Sequence, residues 1–267
     1  MQIKVEELKS TKKFVLGENS GYFPVVTTTN GGDIVIVYRS GAGHMGVKGR
    51  LEFIRSENGE NWGKPVIIAD SDRDDRNPAV GATKNGVIVV AYHVNGNYTS
   101  EKEHDRKLRN LNTYITRSKD KGRTWEKPYK INIEKYDGLS PYGQILTVNK
   151  LLAFEDGTLL MPIYGSKDWK GKGEKAESQS YLICSKDEGL TWEEFCLVSE
   201  DMNESSFLIL PDEKIMSAMR SQKDGRIFIS FSSKLKDDEL NDNLINNVWS
   251  SPVNITLGHE YPPCLTS

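Results

Sequence analysis

The stretch Ser185-Lys-Asp-Glu-Gly-Leu-Thr-Trp192 recurs upstream as Ser118-Lys-Asp-Lys-Gly-Arg-Thr-Trp125, and in worn form as Ser56-Glu-Asn-Gly-Glu-Asn-Trp62. A turn motif that returns at intervals of about 60 residues marks an array of supersecondary modules, so the repeat is the unit of folding. In each copy Asp or Asn, then Gly, stands between a strand-like run (Leu51 to Ile54, Tyr114 to Thr116, Tyr181 to Cys184) and a Trp. The Asp accepts backbone N–H bonds, Gly takes the positive-φ position and the Trp packs back over the turn. The motif therefore reads as structural rather than catalytic.

Working outward, an apolar run follows a turn ahead of each box: Gly32 to Arg39, Gly86 to His93, Gly157 to Tyr164 and Glu213 to Arg220. Shorter apolar runs precede these, at Phe23-Pro-Val-Val, Asn77-Pro-Ala-Val, Leu146-Thr-Val and Ser206-Phe-Leu-Ile-Leu. Their length and composition are those of β-strands. Three or four strands per unit, joined by short turns, form antiparallel meanders that stack radially as the blades of an all-β propeller. The box tryptophans Trp62, Trp125 and Trp192, with a degenerate fourth, Trp249 in Trp-Ser-Ser-Pro, count four blades, and Glu260 to Ser267 has the look of a first strand of a fifth.

At the same step along each second strand stand Arg39, His93, Tyr164 and Arg220. If the blades are equivalent by rotation these residues form a ring at one level. Arginine is rarely buried unpaired, so two of them at strand ends suit either a bidentate grip on a ligand carboxylate or an ion pair with an acid of a neighbouring blade. Two stretches interrupt the meander, Asn95 to Asn112 and Ser166 to Ser178, and are expected as long surface loops. Most of their charges fit solvated loops, whereas Trp169 in the second is a candidate for stacking on a sugar face.

The Ser-x-Asp-x-Gly-x-Thr-Trp motif resembles the Asp box of the bacterial neuraminidase repeat, and the strand, turn, strand and box order resembles the sialidase superfamily of β-propellers over about residues 20 to 267. That resemblance implies a six-bladed family propeller, of which residues 1–267 form a single domain covering about four blades and the first strand of a fifth. The expectation is a domain incomplete at its C-terminus; closure by oligomerisation or as a smaller ring are the alternatives. The resemblance further implies an exo-alpha-sialidase type of glycoside hydrolase, in which three arginines grip the sugar carboxylate, a Tyr paired with a Glu is the nucleophile and an Asp protonates the leaving group. Glu204 in Asn-Glu-Ser-Ser, followed by Arg220, resembles the paired Glu and a triad arginine. Arg39 resembles a further substrate-contacting arginine.

The chain departs from the pattern in two places. Where the family has Phe-Arg-Ile-Pro this sequence reads Gly21-Tyr-Phe-Pro24, and Arg76 in Asp75-Arg-Asn-Pro78 has the missing arginine's offset from its proline. Where the acid is expected stands His44, in Ser-Gly-Ala-Gly-His-Met-Gly. The candidate catalytic set is thus Glu204 as base with His44 or Asp75 as proton donor, and the candidate substrate-binding set is Arg39, Arg76, Arg220, His93 and Trp169. Two other readings stay open. One is a propeller that binds a glycan without turnover or is an inactive fragment; the other is a polysaccharide lyase in which His44 takes a proton from a uronic acid.

Thirty-five basic against 38 acidic side chains leave a net charge of −3, which gives no electrostatic case for nucleic acid or a membrane surface. The expected partner is a carbohydrate carrying a carboxylate. No cofactor is expected, and Cys184, Cys196 and Cys264 are too scattered for a disulfide framework or a metal site. The N-terminus lacks the apolar core of a signal peptide, so a cytoplasmic protein is the expectation.

Overall fold

The computed structural model describes residues 12–17, 21–101, 103–105, 108, 111–131, 146–147, 149–166, 178–193, 195–233 and 249–265. Among them it contains four antiparallel sheets in chain order. Blade 1 is β1 (Tyr22–Thr28), β2 (Ile34–Ser40), β3 (Arg50–Ser56) and β4 (Val66–Ala69). Blade 2 is β5 (Asp74–Ala82), β6 (Ile88–Asn95), β7 (Leu111–Ser118) and β8 (Tyr129–Lys130). In blade 3 the inner strand is split into β9 (Leu146–Thr147) and β10 (Leu152–Ala153), which both pair with β11 (Leu159–Ser166), followed by β12 (Ser178–Ser185) and β13 (Phe195–Glu200). Blade 4 is β14 (Met202–Ile209), β15 (Ile215–Ser221), β16 (Ile227–Phe231) and β17 (Val253–Asn254). This is the four-bladed β-propeller arrangement, with every expected apolar run in a strand.

The boxes occupy the turn after the third strand of their blades, and their hydrogen bonds repeat almost atom for atom. Ser118 Oγ donates to Asp120 Oδ1 at 2.8 Å and accepts from Gly122 N at 2.8 Å, while Asp120 receives Thr124 N at 2.8 Å and Thr124 Oγ1 at 2.6 Å. Ser185, Asp187, Gly189 and Thr191 make the same set at the same distances. Those bonds, from the Thr124 hydroxyl first, hold the Asp120 carboxyl down at about 2. In the worn copy Asn58 Oδ1 accepts from Glu60 N and Asn61 N at 3.0 and 2.8 Å, so an amide replaces the carboxylate in the same role. In the fourth blade, among the described residues, Ser232 bridges Trp249 as Ser56 bridges Trp62.

The tryptophans do more than close their own turns. Trp125 Nε1 donates to Gly122 O at 3.1 Å, and its ring meets Phe53 of the preceding blade edge-on at 5.1 Å. A Cβ on Gly122, whose φ is 82°, would lie 2.2 Å from that Phe53 ring, so the glycine is needed for both backbone and contact. Three apolar clusters fill the three seams between successive blades: Val35, Val37 and Phe53 against Val80, Ile88 and Val90; Val89 and Ile115 against Met161, Tyr181 and Trp192; and Leu160 and Leu182 against Phe207 and Met219. Because β6 and β12 are covered on both faces, every residue along them is buried. β6 accordingly reads as a near-continuous apolar run rather than an alternating one.

Blade 1 differs. On β1, Tyr22, Pro24, Val26 and Thr28 alternate as exposed positions, and no packing comparable to the three seams joins blade 4 to blade 1 among the described residues. The segment expected to open a fifth blade carries no strand in its described part. It nonetheless runs beside β14, where Leu265 N donates to Ser206 Oγ at 2.9 Å, and isolated bonds of this kind do not make a ladder.

Candidate functional site

The register fixes which residues share a level. Ile34, Ile88 and Leu159 face the box serines Ser56, Ser118 and Ser185, and Ile215 accepts a bond from Ser232 N in the same place. Counting an equal step along the four second strands puts Arg39, His93, Tyr164 and Arg220 on one rung, near the ends of β2, β6, β11 and β15. Tyr22 pairs with Arg39, whereas Thr28 pairs with Ile34, so this rung lies at the end of the propeller opposite the boxes.

Arg39 is 0% exposed. Its Nε and Nη2 donate to Asp74 Oδ1 at 2.8 and 2.7 Å, and the rest of the guanidinium donates to the carbonyls of Ala42 (3.3 Å), Gly43 and Gly46 (3.2 Å). Asp74 heads the inner strand of the next blade, so Arg39 is the ion-pair member that the sequence offered as one alternative. Its guanidinium also ties down the loop of residues 41–49, which carries His44. Asp74 Oδ2 accepts from Tyr98 at 2.7 Å and from Arg76 Nη1 at 3.3 Å. Gly49 makes this close packing possible, since a Cβ there would lie 2.2 Å from Asp74 Oδ1.

Arg76 sits at the outer end of the network. Its Nε donates to Asn77 Oδ1 at 3.1 Å, Nη1 also meets Met45 Sδ at 2.8 Å, and the guanidinium stands 5.1 Å from the centroid of Phe23. Nη2 makes no hydrogen bond to a described residue. Two guanidiniums on one carboxylate leave a net positive charge, and Arg76 is the member nearer solvent, with its side chain 11% exposed against 0% for Arg39. Bulges in β1 and β5 begin at Tyr22 and at Arg76, and the residues just before Pro24 and Pro78 take φ of 54° (Phe23) and 48° (Asn77). A left-handed conformation ahead of proline costs on the order of 1–3 kcal/mol and is typical of sites whose geometry is fixed by their surroundings.

Of the other candidates, Asp75 lies at the same end but on the other face of β5. It is 0% exposed and accepts Ser71 N at 2.6 Å and Ser71 Oγ at 2.8 Å, while burial pushes its carboxyl up to about 6. Neighbouring strand residues face opposite sides, which is why Asp74 and not Asp75 meets the arginines. His93 is 1% exposed, and burial, then the charge of Arg76, holds it near 3 and therefore neutral. His44 is exposed, with Phe23 edge-on at 5.3 Å. Trp169 lies outside the described residues.

Glu204 and Arg220 meet on blade 4, Arg220 Nη1 standing 3.5 Å from Glu204 Oε2 with both side chains partly open to solvent. Burial raises the proton affinity of Glu204 in spite of the guanidinium beside it. Arg220 Nε donates to Glu260 O at 2.9 Å, and Nη2 lies 3.3 Å from His259 Nε2. Among the described residues no ion pair or hydrogen bond joins this pair to the Arg39–Asp74–Arg76 group. Residues 1–267 match the BNR repeat-like domain family between 32 and 238. The chain belongs to that family. This BNR repeat-like domain is similar in structure to the Hadza microbial sialidase Hz136, at 22% identity and a TM-score of 0.63, over 79% of this chain and 44% of that one. It is similar to a protein of unknown function from Dyadobacter fermentans at 20% identity and a TM-score of 0.63, over 80% and 65% of the two chains. It is also similar to the intramolecular trans-sialidase from Ruminococcus gnavus, at 12% identity and a TM-score of 0.65, over 90% and 72%. At such identities the likeness carries the fold alone, that of a β-propeller, and the chain spans less than two thirds of the first two proteins. No curated protein sequence matches it.

Asp74 and Tyr98 were invisible as site residues. Asp74 stands in the Asp-Asp-Arg run beside the acid that the sequence singled out, and the strand's two-residue period was the signal that separates them. Tyr98 lies in a loop whose charge suggested solvation, yet its hydroxyl is tied both to Asp74 and to Gly46 N (3.0 Å). A cleft of about 540 Å³ opens at the box end, lined by Thr27, Lys84, Leu151 and Phe207 among others. It lacks the arginine and carboxylate clusters and does not decide the site.

Proposed function

We propose that this protein recognises a carboxylate-bearing sugar at the end of the propeller opposite the boxes, as a sialidase-type glycoside hydrolase whose base is Glu204. The observation that carries the reading is the Glu204–Arg220 pair: a partly buried carboxylate with raised proton affinity, 3.5 Å from a guanidinium that retains exposed surface. Arg220 supplies a charge-assisted grip on the sugar carboxylate, and Glu204 is the proton acceptor that a hydroxyl nucleophile requires. Arg76, with Nη2 unused, supplies a second guanidinium. Arg39 and Asp75 are enclosed, so they act through the scaffold and the proton donor reduces to His44.

That enclosure favours a second reading, recognition without turnover. Release of the aglycone from a chromogenic sialoside, with N-acetylneuraminic acid binding measured in parallel, separates the two. Hydrolysis that falls by orders of magnitude in Glu204→Gln while binding persists supports the enzyme; binding with no turnover in either protein supports the binder. No binding of the acid by the unaltered protein refutes both.

A further inference from the structure

Successive residues of a strand point to opposite faces, yet Tyr22 and Phe23 both reach the imidazole of His44, at 6.2 and 5.3 Å between centroids. The bulge that starts at Tyr22, with Phe23 at a φ of 54°, brings them to one side. For a bulky aromatic residue that conformation is an outlier, and a regular strand would place only one of the two rings there. Two cations lie against these rings: Arg76 is 5.1 Å from the Phe23 centroid and Arg39 5.9 Å from that of Tyr22. Above them the surface is open, with Tyr22 39% and Met45 45% exposed and His44 exposed between them.

We infer that Tyr22 and His44, based on Phe23, form a stacking subsite for the apolar face of a pyranose ring, and that the ring it takes carries a carboxylate directed at Arg76. Aromatic faces suit the axial C–H face of a sugar, and their packing is insensitive to the sugar's charge. The charge preference comes from Arg76, whose Nη2 donates to no described residue and whose position is set by Asp74 and by the Phe23 ring. The acid half of this inference rests on the reading proposed above; the stacking half does not.

The test uses two probes, N-acetylneuraminic acid and neutral methyl glucoside, with saturation-transfer NMR titrations of the whole chain and of Tyr22→Ala, Tyr22→Phe and Arg76→Ala. The expected result is that Tyr22→Ala weakens both probes by roughly tenfold, that Tyr22→Phe restores them, and that Arg76→Ala weakens only the acid. Unchanged titrations for Tyr22→Ala, with the acid still bound and lost on Arg220→Ala, overturn the subsite and leave the carboxylate reading standing. Tyr22-dependent binding of the neutral sugar with no preference for the acid overturns the carboxylate reading and leaves the stacking surface. Binding of neither probe overturns both.

Discussion

Arg39 and Arg220 stand on the same rung of blades 1 and 4, and each is held by the segment that follows its own blade, but by different chemistry. Arg39 meets a carboxylate: Asp74 takes two of its N–H groups, three loop carbonyls take more, and nothing of the side chain reaches solvent. Arg220 donates to a backbone carbonyl, Glu260 O, and lies 3.3 Å from the His259 ring, and among the described residues its ion pair is with Glu204 at 3.5 Å. One guanidinium is enclosed against a carboxylate inside the protein and serves the scaffold. The other keeps exposed surface, as the proposed binding group requires. One repeated position thus yields a strut in one blade and a candidate binding group in another, according to what the linker presents to it.

Four measurements press on this contrast. The largest effect belongs to Asp74→Ala, which strands Arg39 as a buried unpaired charge and should cost about 3–5 kcal/mol in denaturant unfolding. Glu204→Ala, which removes the corresponding acid from blade 4, should change stability by less than about 1 kcal/mol. Equal losses in the two variants would erase the distinction. Gly49→Ala tests the same seam sterically; its Cβ has no room beside Asp74 and Arg39, and overpacking of this kind should cost about 1–3 kcal/mol with little effect on blade 4.

Acid should act mainly on the seam. His93, held near 3 in the folded protein against an ordinary value of about 6.5, takes its proton far more readily when unfolded, so stability is lost as pH falls from about 6.5 toward 3, by at most about 1.4 kcal/mol per pH unit. Asp75, held near 6, has the opposite sign: the folded form binds its proton more tightly, and stability rises as pH falls from 6 toward 4. His93→Gln should therefore remove the acid loss and expose the Asp75 gain in a series of melts between pH 4 and 7. A series that stays flat in both proteins would contradict the burial of His93.

Much of the scaffold was legible. The recurrence of Ser118-Lys-Asp and Ser185-Lys-Asp, each followed by Gly, Thr and Trp, gave the blade count because an Asp-Gly turn has few conformations and the same residues rebuild it each time. Even Trp249 was placed by its tryptophan alone, and among the described residues it bridges Ser232. The site was less legible because its fate is decided across seams. Whether Arg39 is a clamp or a strut depends on Asp74, which the sequence places in another blade, and no local pattern distinguishes Asp74 from Asp75 without the register of β5. The role of the box tryptophans as seals on the preceding blade escaped for the same reason, since Phe53 and Trp125 are neighbours only after the blades stack.

The most direct test is to replace Arg220 by Met and record N-acetylneuraminic acid affinity and the unfolding midpoint on the same sample. The account predicts that affinity falls by about tenfold or more while the midpoint stays within error of the unaltered protein. Undiminished binding, or a loss of stability comparable to that of Asp74→Ala, would show that Arg220 is a strut like Arg39 and would contradict the division of labour between the two blades.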